Sequence, residues 1–209
     1  MLGQIDYINL LPFHLFLKKH YYYYTTKKSY PAKINKMFEK KQIDGAFISS
    51  IKSKNKKCFD VGIVANKKVL SVLVCDGKNK DDFESNTSNV LAKMLNQNGE
   101  VIIGDKALQR YYQNNNCKDL ATLWYDKYKL PFVFARFCVN KNPTKYKKMI
   151  NKFINSKIYI PQYILKKYTK RGFTKKQIKE YLKLINYKIN YKEKKSLKKF
   201  LKNSNYKGL

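Results

Sequence analysis

The sequence predicts an α/β fold, because strand and helix patterns alternate along its first two thirds. Residues 4–10 alternate apolar and polar side chains and run up to Pro12, which is typical of a strand that ends at a turn. Residues 32–41 place apolar side chains at helical spacing after Pro31, and residues 43–50 read as a short buried strand. Strand, helix and strand in that order form the unit of an open parallel sheet.

The same alternation continues to about residue 139. Residues 69–74 form a β-branched strand pattern. The hydroxyl cluster at residues 85–88 precedes apolar residues with helical spacing, which is where helix caps occur. Further strand patterns cover residues 101–103 and 130–139, with helical patterns between them.

The part of the chain after residue 139 predicts helices. Amphipathic patterns cover residues 146–154, 158–168 and 177–185. Thr174, followed three residues later by Gln177, has the form of a capping box. The many lysines of this part are therefore predicted to lie on solvated helix faces.

The chain is strongly basic, with 45 Lys and Arg against 14 Asp and Glu and a formal net charge of +31 over 209 residues. Such a charge suggests a nucleic acid or an anionic membrane surface as partner. Lys, Asn, Tyr, Ile and Phe are all abundant, however, and their codons are rich in A and T. A biased base composition therefore accounts for the charge, and we expect neither a nucleic-acid nor a membrane partner.

Several absences narrow the function further. The four cysteines lie far apart and only two histidines accompany them, so we expect reduced, mostly buried thiols and no metal site. The chain has no signal-peptide pattern and no apolar run of about 18 residues, so we expect a cytoplasmic protein. It also lacks a phosphate loop, a dinucleotide-binding glycine motif, a nucleophile elbow and a zinc-protease motif.

Four segments, in order, form a distinctive set. They are residues 3–12 (GQIDYINLLP), 46–51 (AFISSI), 102–108 (IIGDKAL) and 119–135, which run from DLA through Trp124 to LPFVFA. Residues 181–187 (YLKLINY), with Leu197 and Phe200 beyond them, extend the set to the C-terminal helices. Each segment is weak evidence alone, but the ordered set resembles the chorismate dehydratases of the futalosine route to menaquinone.

The resemblance implies a two-lobed, periplasmic-binding-protein-like type II fold with a ligand cleft between the lobes. The chain would cross to the second lobe near Ser71 and return near Ala135. The predicted units are residues 1–70 with 136–209 (lobe I) and residues 71–135 (lobe II). Members of the family usually carry an additional strand and helix where only residues 96–100 intervene here, so lobe II is predicted to be shortened.

The resemblance further implies a lyase that converts chorismate to 3-(1-carboxyvinyloxy)benzoate, the first committed step of that route. The C4 hydroxyl and the C3 hydrogen leave, and because aromatisation drives the reaction no cofactor is expected. Asn9 matches the catalytic asparagine of the family, and Ser71 matches a serine that faces the same ligand. Since an amide is not basic near neutral pH, Asn9 is predicted to orient the substrate while a substrate carboxylate takes the proton.

The substrate is a dianion, and the residues predicted to bind it lie at strand ends and helix starts: Ser49, Ser50, Thr87, Ser88, Gly104 and Asp105. The two adjacent serines follow a predicted strand, where open α/β sheets bind ligands. Thr87 and Ser88 begin a helix whose N–H groups favour a carboxylate, although capping alone explains them equally well. Gly104 would let the backbone approach the ligand, and Asp105 would accept hydrogen bonds behind the residues that touch it.

Other readings remain open from the residues alone. One is the naphthoate synthase of the same fold and pathway, whose family opens with a Ser-Pro-containing segment and relies on a histidine in the second lobe. Others are a solute-binding protein without catalysis and a nucleic-acid-binding protein. His14, Trp124, Phe132 and Phe134 are predicted to be structural, and the oligomeric state is left open.

Overall fold

The computed structural model describes residues 1–113 and 116–204, which form two separate β-sheets with helices packed around them. In chain order the strands are β1 (Leu2–Ile5), β2 (Thr26–Ser29), β3 (Gly45–Ser49), β4 (Cys58–Ala65), β5 (Val72–Cys75), β6 (Glu100–Ile103), β7 (Cys117–Asp119), β8 (Phe132–Val139) and β9 (Ile185–Lys188). The helices are α1 (Leu11–His20), α2 (Pro31–Glu39), α3 (Asn86–Met94), α4 (Gly104–Gln113), α5 (Leu120–Tyr128), α6 (Pro143–Ile154), α7 (Gln162–Thr169), α8 (Lys175–Lys183) and α9 (Tyr191–Asn203), and 3-10 helices cover Ile8–Leu10 and Ser50–Ser53.

The two sheets differ in how their strands pair. The larger sheet has the order β2-β1-β3-β8-β4-β9, and the smaller sheet has the order β6-β5-β7. Strand β1 pairs in parallel with β2 and β3, whereas β8 runs antiparallel to β3 and β4, and β9 antiparallel to β4. The smaller sheet is antiparallel throughout. The predicted α/β class is confirmed, but the parallel arrangement is limited to the first three strands of the larger sheet.

The chain leaves the larger sheet once and returns once. Strand β4 ends at Ala65 and β5 of the smaller sheet begins at Val72, so the chain passes from one sheet to the other between these residues. Strand β8 of the larger sheet begins at Phe132, where it pairs with Ala65, and Ala135 lies within this strand. Residues 114–115 and 205–209 of the predicted lobes lie outside the described part of the chain.

The segment predicted as one strand over residues 4–10 is shorter and more complex. Strand β1 ends at Ile5, the 3-10 helix Ile8–Leu10 follows, and Pro12 lies in the first turn of α1. A proline costs no hydrogen bond at that position, because the first N–H groups of a helix have no partner within it. Asn9 consequently lies on a tight turn between strand and helix.

The C-terminal part is helical, as predicted, except for β9 at the edge of the larger sheet. Thr174 caps α8 and exchanges hydrogen bonds with Gln177, which confirms the predicted capping box. Helix α7 begins at Gln162, later than predicted, because Pro161 disfavours helical backbone in the residue before it.

Aromatic rings fill much of the core around the larger sheet. The ring of Phe13 on α1 lies 5.1 Å from that of Phe47 and 5.0 Å from that of Phe153. Trp124 is fully buried and donates its indole N–H to Ser196 Oγ at 3.0 Å, and Phe132 is also buried. Trp124 and Phe132 are therefore core residues, as predicted.

The four cysteines are paired, so the predicted reduced thiols are contradicted. Cys58 of β4 bonds to Cys138 of β8, and Cys75 of β5 bonds to Cys117 of β7. In each pair the two cysteines lie directly opposite each other on adjacent antiparallel strands. The sequence does not reveal this pairing, because the partners are 80 and 42 residues apart. Across the ranges that the structure describes, no helix is long and apolar enough to span a membrane.

Candidate active site

A cavity with about 490 Å³ of space between its atoms, including the mouth, lies between the two lobes. Its apolar wall comes from both lobes and the crossing segment: Ile5, Ile63, Val69, Val72, Ile103 and Phe134. Its polar groups are Tyr7, Asn9, Ser49, Ser71, Ser85 and Ser88. Phe134 was predicted to be a core residue, but it is partly exposed and forms part of this wall.

The cavity brings together part of the predicted set of site residues. Those that line it are Asn9, Ser49, Ser71, Ser88 and Gly104. The others, which do not line it, are Ser50, Thr87 and Asp105.

Asn9 presents an unpartnered polar atom at this cavity. Its backbone carbonyl accepts a hydrogen bond of 2.5 Å from the Tyr187 hydroxyl of β9, which anchors the turn. Its side-chain Oδ1 is buried and has no hydrogen-bond partner among the residues that the structure describes. An unpartnered buried acceptor costs about 1–3 kcal/mol, so a ligand that donates to it recovers this energy.

Ser71 is held from both sides at the outward crossing. Its Oγ accepts a hydrogen bond of 2.8 Å from the buried hydroxyl of Tyr181 on α8, and its carbonyl accepts one from Gly104 N at 2.8 Å. Burial raises the pKa of Tyr181, so that phenol stays protonated.

The crossing itself is shaped by Asp119. One carboxylate oxygen accepts from the N–H groups of Val69 and Leu70 at 2.9 and 2.7 Å, and the other caps α5. Leu70 adopts a left-handed conformation with φ of 59°. Because two N–H groups bind one oxygen, this strained turn is stabilised and Ser71 faces the cavity. Asp119 belongs to the DLA segment noted in the sequence, but its role could not be derived from that segment.

Ser49, the last residue of β3, forms a reciprocal pair with Asn35 of α2. The Ser49 N–H donates to Asn35 Oδ1 at 3.1 Å, and Asn35 Nδ2 donates to Ser49 Oγ at 2.7 Å. Both side chains are nearly fully buried. Asn35 lies on a helix that the sequence predicted, but nothing in the sequence indicated its contact with Ser49.

The N-terminus of α3 also faces the cavity. Ser85 caps the helix by accepting from Ser88 N at 3.2 Å, and its hydroxyl donates to Ser88 Oγ at 2.8 Å. The first N–H groups of a helix and its dipole favour an anion, so this end suits a carboxylate.

Two predicted binding residues hold the fold together outside the cavity lining. The Ser50 hydroxyl donates to the carbonyl of Val133 at 2.5 Å and is fully buried. Thr87 Oγ1 accepts from Ile51 N at 3.2 Å, which links α3 to the larger lobe. The Ser50 hydroxyl therefore links the 3-10 helix after β3 to β8, and the Thr87 hydroxyl links that same 3-10 helix to α3.

Gly104 has a different neighbour from the one expected. Its φ is 68°, and a Cβ built there would lie 2.5 Å from Cζ of the Tyr7 ring. The Tyr7 ring thus occupies space that was predicted for the ligand, although Gly104 still lines the cavity. The Tyr7 hydroxyl donates to Glu84 at 2.6 Å, and burial together with that carboxylate raises the pKa of Tyr7.

Asp105 supports the Asn9 turn from behind. It accepts from Ile8 N at 3.0 Å and from Arg171 Nη1 at 2.6 Å, and Arg171 also contacts Asp6. Burial raises the pKa of Asp105, and the two hydrogen bonds oppose that shift. Asp105 thus accepts hydrogen bonds behind this turn, and its role toward the substrate stays a prediction. Arg171 was missed because its partners lie far away in the sequence.

The cavity carries no charged side chain among its described lining residues. His14 lies outside it, and burial lowers the pKa of His14 to about 4. Its ring nitrogens have no hydrogen-bond partner in the described ranges, so the satisfied structural histidine that was predicted is only partly realised. Those ranges also contain no group of three or more His, Cys, Asp or Glu that could hold a metal.

Comparison with known proteins gives one family and one fold. A family model described as menaquinone biosynthesis matches residues 78–205. A chorismate dehydratase of Campylobacter jejuni subsp. jejuni serotype O:23/36 (strain 81-176) is 48% identical over 204 residues, which cover 92% of each chain.

Solved structures share the fold at low sequence identity. An Archaeoglobus fulgidus protein superimposes with a TM-score of 0.73 at 14% identity, covering 99% of this chain and 97% of that one. A Candida albicans gene product described as having the generic periplasmic binding protein fold gives 0.54 at 12% identity, covering 100% and 90%. The periplasmic aliphatic sulphonate binding protein of Escherichia coli gives 0.57 at 11% identity, covering 97% and 91%.

Proposed function

The chain belongs to the menaquinone-biosynthesis family that contains the chorismate dehydratases, and we propose that it dehydrates chorismate to 3-(1-carboxyvinyloxy)benzoate in the cavity between its lobes. The choice of site rests on the observation that Asn9 and Ser71 line the same uncharged cavity. The reaction is a carbon–oxygen hydro-lyase step, and the residues at this site need no metal or redox cofactor to perform it.

The cavity offers hydrogen-bonding groups rather than cations to a dianionic substrate. Ser49, Ser71 and Ser88 supply hydroxyls, and the first turn of α3 supplies backbone N–H groups at its positive end. These groups fix the two carboxylates without a lysine or arginine. Ser50 and Thr87 contribute indirectly, since they hold the strands and helix that carry the lining serines.

Asn9 orients the reacting end of the substrate. Its unpartnered Oδ1 is an acceptor that fits the C4 hydroxyl of chorismate, and Ser71 can donate to the oxygen that leaves as water. Both residues lie on rigid turns that tyrosines of the C-terminal part anchor. Positioning of this kind lowers the barrier by holding the reacting groups in a near-attack geometry.

The proton acceptor is a carboxylate of the substrate itself. The described lining residues include no His, Asp, Glu, Lys or Cys, and the raised pKa of Tyr7 keeps its phenol protonated. Removal from water in this largely apolar cavity raises the pKa of a bound carboxylate, and the hydroxyls and N–H groups that bind it oppose that shift. The substrate therefore carries a base that the protein does not provide.

The proposed enzyme needs neither a membrane nor a nucleic-acid partner. The lysines of the C-terminal helices α6–α9 are exposed, whereas the apolar faces of these helices pack on the core. No described residue that lines the cavity contributes to the high positive charge.

The direct test is incubation of the purified protein with chorismate. We expect loss of the diene absorbance and a product lighter than chorismate by one water. Well-folded protein that leaves chorismate unchanged would contradict the proposal. If the protein instead converted the substrate of naphthoate synthase to its product, the alternative function would be correct.

A further inference from the structure

The hydrogen-bond partners behind the cavity serines determine which way the serine protons point. At Ser49 the direction is fixed by the backbone, because its N–H can only donate and so requires the oxygen of Asn35. The amide nitrogen of Asn35 must then face Ser49 Oγ, to which it donates at 2.7 Å. The Ser49 hydroxyl proton cannot point at that nitrogen, so it is available to an acceptor in the cavity.

The same arrangement occurs at Ser71 with a different donor. The Tyr181 hydroxyl is fully buried, and Ser71 Oγ is its hydrogen-bond partner among the residues that the structure describes. A phenol is the stronger donor of the two hydroxyls, since its pKa is near 10 and that of an alcohol is far higher. The Ser71 proton is therefore also free to point into the cavity.

We propose that Asn35 and Tyr181 are positioning residues that hold the Ser49 and Ser71 hydroxyls as hydrogen-bond donors toward the bound substrate. The inference rests on the proposed function, because it assigns the two donors to a dianion. A hydroxyl that must donate favours an anion, whereas one that can turn round also accepts other groups. The cavity thereby selects carboxylates without any cation.

The sharpest test is Asn35→Asp, which keeps the shape of the side chain and changes its hydrogen-bonding pattern. When the introduced carboxyl group is ionised, it can only accept, so the Ser49 hydroxyl must turn and donate to it. When that group is protonated, its O–H replaces the amide N–H and restores the original pattern. We expect KM for chorismate, relative to the unchanged protein, to rise by about tenfold or more as pH increases through the pKa of the introduced group.

A double-mutant cycle separates the serine from simple charge repulsion. If Asn35 acts through Ser49, Asn35→Asp has little further effect on KM in a Ser49→Ala background. Repulsion between the new carboxylate and the substrate would persist in that background. The second cycle uses Tyr181→Phe, for which we expect a loss of about tenfold in kcat/KM that disappears in a Ser71→Ala background. Tyr146→Phe is the matched control, because Tyr146 is also buried but packs against core rings instead of bonding to a serine that lines the cavity.

The outcomes distinguish this inference from the proposed function. Suppose that the unchanged protein turns over chorismate. If Asn35→Asp and Tyr181→Phe are then as active as Tyr146→Phe, the inference is overturned and the proposed function stands. Additive effects in both cycles would overturn the inference as well, since they would indicate a purely structural role. Absence of turnover by the unchanged protein would instead reject the proposed function. Thermal unfolding of every variant shows whether a loss of activity reflects a loss of fold.

Discussion

Replacement of Gly104 by alanine tests the contact between this residue and the ring of Tyr7. The added Cβ would lie 2.5 Å from Cζ and 2.7 Å from both Cε atoms of the ring, and all three distances are shorter than real carbon contacts. The ring cannot retreat freely, because its hydroxyl is bonded to Glu84. Gly104 also has φ of 68°, where a residue with a Cβ is strained.

The expected cost of Gly104→Ala has two parts. The left-handed backbone costs about 1–2 kcal/mol for a residue with a Cβ. The overlap with the ring adds about 1–3 kcal/mol, as overpacking commonly does. The sum of about 2–5 kcal/mol is a large share of the usual stability of about 5–15 kcal/mol. For a protein of this size it lowers Tm by about 4–20 °C.

Thermal and denaturant unfolding of three variants separate these parts. Gly172→Ala is the matched control, because Gly172 has a similar φ of 88° and its added Cβ would meet the flexible Gln109 side chain at 3.3 Å instead of a buried ring. In a Tyr7→Ala background the cost of Gly104→Ala should fall to the backbone part alone. If Gly104→Ala were no more destabilising than Gly172→Ala, the argument from the Tyr7 ring would be refuted.

Further variants test the crossing, the buried histidine and the cysteines. Asp119→Ala leaves the N–H groups of the crossing without their acceptor. We expect a denaturant titration to show that the free energy of unfolding falls by at least about 3 kcal/mol. A loss below about 1 kcal/mol would contradict the role of Asp119 at the crossing. Burial lowers the pKa of His14 to about 4 in the folded protein, whereas in the unfolded chain it is about 6.5. Between these pH values the unfolded chain binds a proton that the folded protein does not, so the free energy of unfolding falls as pH decreases from about 6.5 toward 4. His14→Phe should flatten the dependence of Tm on pH in that window, and an unchanged slope would exclude His14 as its source. For the cysteines, the protein is denatured without reductant and treated with an alkylating reagent. We expect no cysteine to be labelled until reductant is added, and labelling of all four before that would contradict the two disulfides.

Local signals in the sequence predicted local structure well. The capping box at Thr174 depends on residues three apart, and the helix after Ser85 depends on a cap directly before it. Strand β2 gave no signal, because its residues are almost all exposed polar side chains. The length of β1 was overestimated because Ile8 is fully buried by a tight turn rather than by a strand.

The contacts that shape the site join residues distant in the sequence, and no periodicity reveals them. Tyr181 meets Ser71 across 110 residues, and Tyr187 meets Asn9 across 178. The meeting of Asn9 and Ser71 was predicted only through the family resemblance, since spacing alone gives no reason for it. The register that pairs the cysteines was hidden because the partners are 80 and 42 residues apart in the sequence.

The position of the only two histidines in the sequence bears on the alternative function. His14 and His20 both lie on α1 of the larger lobe, outside the cavity lining. A naphthoate synthase of this fold is expected to use a histidine of the second lobe, and this chain has none there. The neutral cavity fits a dehydration in which the substrate supplies the base.

The most direct measurement of the central claim is the rate of 3-(1-carboxyvinyloxy)benzoate formation by the unchanged protein and by Asn9→Ala at saturating chorismate. Loss of the hydrogen-bonding amide should lower kcat by about 10²–10³-fold, while thermal unfolding shows that the fold persists. Turnover by the unchanged protein with that loss would support the cavity between the lobes as the active site. Turnover by Asn9→Ala near that of the unchanged protein would contradict it.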